Sequence, residues 1–393
     1  MTNNAKPQGQ GCRTACLDKN YGRSMSLNAT RKLFAPGSFP TLLLILGLSL
    51  IMQACASKQV QVERERFFFP PAPETPRIEY IKPYFSDMDL HGKQDGFMSQ
   101  YVLGEKPPAN LFAGPTDVVS DGKGRVFVTD TTRRQVVILD LNRLESRLLN
   151  QARETGTGQE ALLSVPYSVD IDDQGRLYVV DPFLKKIVIF GPDEVYQRTI
   201  ELPEIGRPTS IALDSAHGRI MVADTSLHQL VVVTTEGIVI GTIGERGNGP
   251  SQFNYPTDVD VDEQGNVYVL DTLNARVQMF NPELEFVREF GERGTAAGSF
   301  RVPKMLAVDP FGHIYVTEAL DHKIVIFNRE GDFLLRVGGK SMVTNGVSPG
   351  GFYLPRGIDV DQNGTIWVVD SLNRMIHRFQ FLTPEYLAEH PVE

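Results

Sequence analysis

Six prolines, Pro115, Pro166, Pro208, Pro256, Pro303 and Pro355, each stand six residues before an aspartate: Asp121, Asp172, Asp214, Asp262, Asp309 and Asp361. A glycine follows in every unit (Gly124, Gly175, Gly218, Gly265, Gly312, Gly364), and then an acid closing a β-branched run: Asp130, Asp181, Asp224, Asp271, Glu318 and Asp370. Successive prolines are 51, 42, 48, 47 and 52 residues apart, the length of one four-stranded propeller blade. Four marks kept in step through six units require a repeat architecture. Function must then be sought on the faces of a disc.

One unit shows how the marks work. Pro256 opens the innermost strand, where a missing N–H is tolerated. Asp262-Glu263-Gln264-Gly265 is a turn in which the carboxylate accepts turn amides and the glycine takes positive φ. The runs 267–270, 276–280 and 286–290 supply the other three strands. They are nearly continuously apolar, as expected of sheets covered on both faces.

These marks resemble the NHL repeat family. Its pattern is legible in Pro355-Arg-Gly-Ile-Asp-Val-Asp361, Tyr315-Val316 and Asn274-Ala-Arg-Val277, and the resemblance covers residues 115–382. It implies an all-β, six-bladed propeller of four-stranded blades, but it does not imply one function. The sixth unit lacks an outer strand after 375–381. Residues 77–85 are expected to supply it from the N-terminal side and so remove the open edge.

Upstream, Arg31-Lys32 precede the apolar run 41–52 and then Gln53-Ala54-Cys55. The run is shorter than the roughly 20 residues a spanning helix needs. It resembles a bacterial lipoprotein signal with Cys55 as the lipidated residue, which implies a lipid anchor in the cell envelope. Ala56 after the cysteine resembles the pattern of outer-membrane lipoproteins. The expected organisation is an N-terminal extension and signal (1–55), a proline-rich tether (56–76), the propeller (77–382) and a short tail (383–393). The Phe67-Phe68-Phe69 triplet could dock on a partner or pack on the rim.

The net charge is −9, and residues 1–55 carry six bases and one acid. The remainder is thus more acidic still, at −14. Sequence-independent nucleic-acid binding, which needs a positive footprint, is not expected. The three cysteines, Cys12, Cys16 and Cys55, all precede the repeats, so no propeller thiol can act as a nucleophile or metal ligand.

Strand parity sorts the loops. Connections before the innermost strands and between second and third strands share one face, here called the top. The bottom turns are acidic, whereas the top carries Arg134, Lys185, Arg246, Arg276, Arg293, Lys323, Arg356 and Arg374 as a candidate partner-binding face. Because the tether is expected to enter from the bottom, this face is expected to point away from the anchor.

Near the axis, inner-strand positions include Asp117, Asp170, Asp258, Asp260 and Asp359. They are a candidate set for Ca²⁺, which prefers oxygen ligands; the plainer role is accepting backbone amides of adjacent blades. A metal-dependent lyase or hydrolase with a channel site, resembling propeller amidating lyases or lactonases, is the enzymatic alternative. A zinc site would need converging histidines, and the repeat position that could supply them is histidine only at His228 and His322. The favoured reading is a monomeric, envelope-anchored scaffold that binds a protein or cell-wall glycan without chemistry.

Overall fold

Each proline-led unit folds as an antiparallel sheet whose strands are ordered from the axis outward. The computed structural model describes residues 65–75, 77–91, 109–149, 152–155, 158–343 and 348–392. The signal segment, Cys55 and residues 56–64 of the expected tether lie outside them. The innermost strands are Pro115–Ser120, Ser168–Ile171, Pro208–Asp214, Pro256–Val261, Pro303–Val308 and Pro355–Val360. The first five each lead a four-stranded sheet. Each innermost strand adjoins the next, and the sixth adjoins the first, so the ring closes with six blades.

The turn chemistry repeats around the ring. Asp262 accepts from the amides of Gln264 and Asn266 at 3.0 and 2.8 Å, and Gly265 sits at φ +82°. Asp309 does the same for Phe311 and His313. A side chain bearing Cβ would be strained at such a glycine.

Six apolar clusters among the described residues fill the six seams between blades. Phe127 and Ile138 of the first blade, for example, meet Val179 and Phe190 of the second. Both faces of every sheet are therefore covered, which explains the apolar runs. Each fully buried Val, Leu, Ile or Phe contributes about 1.5–3 kcal/mol.

The sixth blade is completed from the N-terminal side. Ile78–Tyr84 pairs antiparallel with Met375–Phe381, from Ile78 opposite Phe381 to Tyr84 opposite Ile376. Tyr80 and Ile78 enter the seam with blade five, and Tyr84 enters the seam with blade one. Both chain ends are fastened on Glu79, which takes Arg66 through both oxygens at 2.8 Å and the Tyr386 hydroxyl at 2.9 Å.

Two features refine the expected N-terminal organisation. First, a fifth strand, Phe67–Phe69, pairs outside Ile78–Tyr84, so part of the stretch assigned to the tether belongs to the sheet of blade six. Its Phe69 ring lies edge-on to Phe379 at 6.4 Å and fills the space beside Gly350, which makes at least this ring a rim-packing group. Second, this strand runs antiparallel to Ile78–Tyr84, so the segment leading into the outer strand itself descends the rim of blade six from Phe67, opposite Tyr80, to Phe69, opposite Ile78. The direction of the top face relative to Cys55 lies outside the described residues. The short tail carries a helix, Pro384–Glu389, capped by Thr383.

Candidate functional site

The top face is built on six buried acids, one at the end of each second strand. Asp181 accepts from the amides of Phe183 and Leu184 in its own turn at 3.0 Å, and from Ser164 and Val165 in the incoming loop at 2.5 and 2.7 Å. Asp130 bridges Arg133 to Ala113 and Gly114 in the same way. Asp224, Asp271, Glu318 and Asp370 repeat the arrangement, and all six are fully buried. Four residues after each acid the backbone is left-handed, at φ 52–60°: Arg134, Lys185, His228, Ala275, His322 and Arg374. The acids thus hold the turns and are not free for catalysis.

This frame sorts the candidate cations. Arg134, Arg246, Arg293 and Arg374 are exposed, and Lys185 is half-buried at its turn. Arg276 and Lys323 are withdrawn from the face. The Arg276 guanidinium pairs with Asp271 at 2.9 Å and Glu289 at 2.6 Å, and donates to the carbonyls of Asn248, Gly249 and Gln252. It is an internal brace for the glycine-rich loop 244–253. Lys323 is buried beside Asp321 and the Ser299 carbonyl. Arg356 turns inward, and its guanidinium donates to the Tyr167 hydroxyl.

The structure also shows an apolar feature that charge counting missed. The turns between second and third strands expose Phe183, Leu184, Leu227, Leu273, Leu320 and Leu372, with Phe183 at 74% and Leu372 at 53%. They form a ring around the top, interspersed with Arg134, Lys185 and Arg374. The available signal was an apolar residue two or three places after the acid, in a turn where polar residues are the rule. Exposed apolar groups recurring on one face mark interaction sites.

The five channel aspartates converge on a cavity of about 50 Å³. Their oxygens face backbone amides of neighbouring blades. Asp359 accepts from Ser120 at 2.8 Å, Asp117 from Val169 at 3.1 Å, Asp170 from Leu213 at 2.8 Å, Asp258 from Leu306 at 2.6 Å and Asp260 from Val308 at 2.8 Å. In the third blade Ser210 Oγ takes the part, accepting from Val259 at 3.3 Å. Burial pushes Asp117 up to about 6, Asp260 to about 7 and Asp170 to about 8, the last also through the Asp260 charge. Burial raises Asp258 and Asp359 well above the usual carboxylate range. Among the described residues, no group of three or more His, Cys, Asp or Glu is disposed to hold a metal ion. The cavity has room for a water or two, far below the roughly 300 Å³ at which small-molecule pockets begin.

The histidines do not converge. His228 Nδ1 accepts the Tyr255 amide and His322 Nδ1 the Leu354 amide, both at 3.1 Å. His217 and His313 are tied to Asp214 and Asp309 on the bottom. His377 is fully buried, 3.3 Å from both the Tyr80 hydroxyl and Asp370 Oδ2.

Comparison with known proteins agrees with this geometry. A family model described as a 6-bladed beta-propeller matches residues 204–291. NHL repeat-containing protein 3 of Homo sapiens is 34% identical over 56 residues, 14% of this chain and 16% of that protein. Peptidyl-glycine alpha-amidating monooxygenase B of Xenopus laevis is 26% identical over 140 residues, 32% of this chain and again 16% of the relative. The matches therefore span about a sixth of those relatives. Among solved structures, a protein of unknown function from Bacteroides thetaiotaomicron aligns at a TM-score of 0.55 and 14% identity, covering 69% of this chain and 70% of that one. A catalytically inactive virginiamycin B lyase from Staphylococcus aureus aligns at 0.50 and 16% identity, covering 70% and 97%. Likeness at these identities speaks for the fold alone. With six proline-led sheets closed into one ring and NHL-repeat relatives in sequence, this chain is an NHL-type six-bladed β-propeller.

Proposed function

We propose that the propeller is a non-enzymatic binding scaffold, lipidated at Cys55, whose top face recognises another protein of the bacterial envelope. The exposed apolar ring of Phe183, Leu184, Leu227, Leu273, Leu320 and Leu372 carries this reading. Apolar turns rimmed by Arg134, Lys185, Arg246, Arg293 and Arg374 suit a partner surface with apolar anchors and acidic edges. A polysaccharide alone offers few apolar anchors, so a protein is favoured over a cell-wall glycan. The lyase alternative has less support. Its site would lie in a channel whose aspartates staple blades together, and no trio of histidines faces a common point.

The test is cross-linked capture of the full-length protein from its own envelope. Phe183→Asp with Leu372→Asp is expected to lose the captured protein. Val195→Asp with Ile238→Asp, in exposed bottom turns, is expected to keep it. Capture of glycan alone, or equal loss in both pairs, overturns the reading. For the anchor, Cys55→Ser is expected to move the protein from the membrane fraction to the soluble one.

A further inference from the structure

The residue immediately after each repeat proline is Thr116, Tyr167, Thr209, Thr257, Lys304 or Arg356. These six positions are equivalent and lie one residue above those lining the channel cavity, so they ring its upper mouth. Three are threonines held to the wall. Thr209 meets Thr225 at 2.6 Å, Thr257 meets Thr272 at 2.5 Å, and Thr116 donates to Thr131 at 3.3 Å. The other three are long and reach over the opening. Tyr167, from the second blade, packs against the apolar cluster between blades five and six. Arg356, from the sixth, donates to its hydroxyl and lies over its ring, 5.0 Å from the centroid. Blades two and six are not neighbours, so this contact can only be made across the channel.

The cations here form no ion pair. Among the described residues neither Lys304 nor Arg356 has a carboxylate within ion-pair distance, and Arg356 Nε is buried without a hydrogen-bond partner. Lys304 is half-buried; burial and then the Arg356 charge lower its affinity for a proton, against a smaller opposing pull from Glu318, whose oxygens are taken by the Val302, Leu320 and Asp321 amides. Two like charges brought together and partly desolvated are costly unless something negative joins them. Asp117, one layer below, is occupied with the Val169 and Val118 amides.

We propose that the upper mouth of the axial channel binds a carboxylate group, held by the Arg356 guanidinium and the Lys304 ammonium, with Tyr167 flanking the carbon next to it. A guanidinium edge matches a carboxylate in a two-point fork, and the ammonium adds a point charge. A single negative charge suits the place better than a phosphate dianion, because it costs less to withdraw from water at a half-buried site. The aromatic ring favours an apolar group attached to the carboxylate. The carboxylate could belong to a free small acid or to the C-terminus of a polypeptide. The site is separate from the outer apolar ring and does not depend on the partner proposed above.

Calorimetric titration of the full-length protein in detergent tests this with N-acetylphenylalanine, its uncharged amide, inorganic phosphate, phenylacetate and the tripeptide N-acetyl-Ala-Ala-Phe. The free acid is expected to bind at least about tenfold more tightly than the amide or phosphate. Arg356→Gln and Lys304→Gln, checked for folding by circular dichroism, are each expected to weaken it about tenfold, whereas Lys123→Gln, exposed in a bottom turn, leaves it within about twofold. Should Arg356→Gln unfold, Lys304→Gln alone and Arg356→Lys carry the test, the latter weakening binding while keeping the charge. Tighter binding of the tripeptide than of phenylacetate assigns a polypeptide terminus, and the reverse assigns a small acid. Equal binding of acid and amide, preference for phosphate, no binding of the acid, or unchanged affinity in folded Arg356→Gln and Lys304→Gln overturns the proposal.

Discussion

Gly357 of the sixth blade abuts Asp117 of the first so closely that a β-carbon on the glycine would lie 2.5 Å from the Asp117 Cα. This is where the ring closes at the axis, and the Thr116 carbonyl crowds the same point at 2.9 Å. Both are main-chain or Cα atoms, so neither can swing aside. Gly357→Ala is therefore expected to cost about 2–4 kcal/mol in urea unfolding. Gly241, where an added methyl would meet nothing within 4 Å, is the control and should change by less than about 0.5 kcal/mol on Gly241→Ala.

The channel carboxyls give stability a pH dependence of definite sign. Unfolded aspartates lose their protons near pH 4, whereas folded Asp117, Asp260 and Asp170 hold theirs up to about 6, 7 and 8. The folded state binds more protons through that interval, so their contribution is complete below about pH 4 and is lost as pH rises through these values. Glu79, Asp140 and Asp321 are shifted downward and act only in the acid range, outside this window. The melting temperature is expected to fall by about 2–5 °C between pH 6.5 and 8.5. Asp170→Asn should flatten that slope in scanning calorimetry.

The N-terminal strand is expected to be needed for a monomer. Removing residues 1–64 leaves the Arg66–Glu79–Tyr386 fastening in place and should not change the melting temperature. Removing residues 1–84 bares the edge of Met375–Phe381, and size-exclusion chromatography should then show dimers or aggregates.

Two arginines that look alike in sequence should behave differently. Arg276→Ala strips a buried partner from Asp271 and releases three loop carbonyls, with an expected loss of about 3–5 kcal/mol in chemical unfolding. Arg246→Ala, exposed on the same loop, should be within about 0.5 kcal/mol of the parent.

The blade count, the turns and the closing strand were legible because each rests on local chemistry repeated six times. A proline, a turn-capping aspartate and a glycine in the left-handed region recur at fixed distances, and a missing outer strand leaves a countable gap. The candidate face was only half legible. Charge can be read residue by residue, but whether Arg276 faces solvent depends on the path of loop 244–253, which its own hydrogen bonds define. Phe183 and Leu372 carry no charge for such counting to register, and the acid-capped turns lift them into solvent. The pairing of Arg356 with Tyr167 joins positions 189 residues apart across the channel, and no local pattern encodes it.

The central claim is that partners are met by the top face. A photo-activatable cross-linking residue placed at Phe183 or Leu372, and in parallel at Val195 or Ile238, tests it in the intact envelope. The account predicts one protein adduct from the first pair of sites and none from the second. Adducts from Val195 and Ile238 alone, or the same adduct from all four sites, would contradict it.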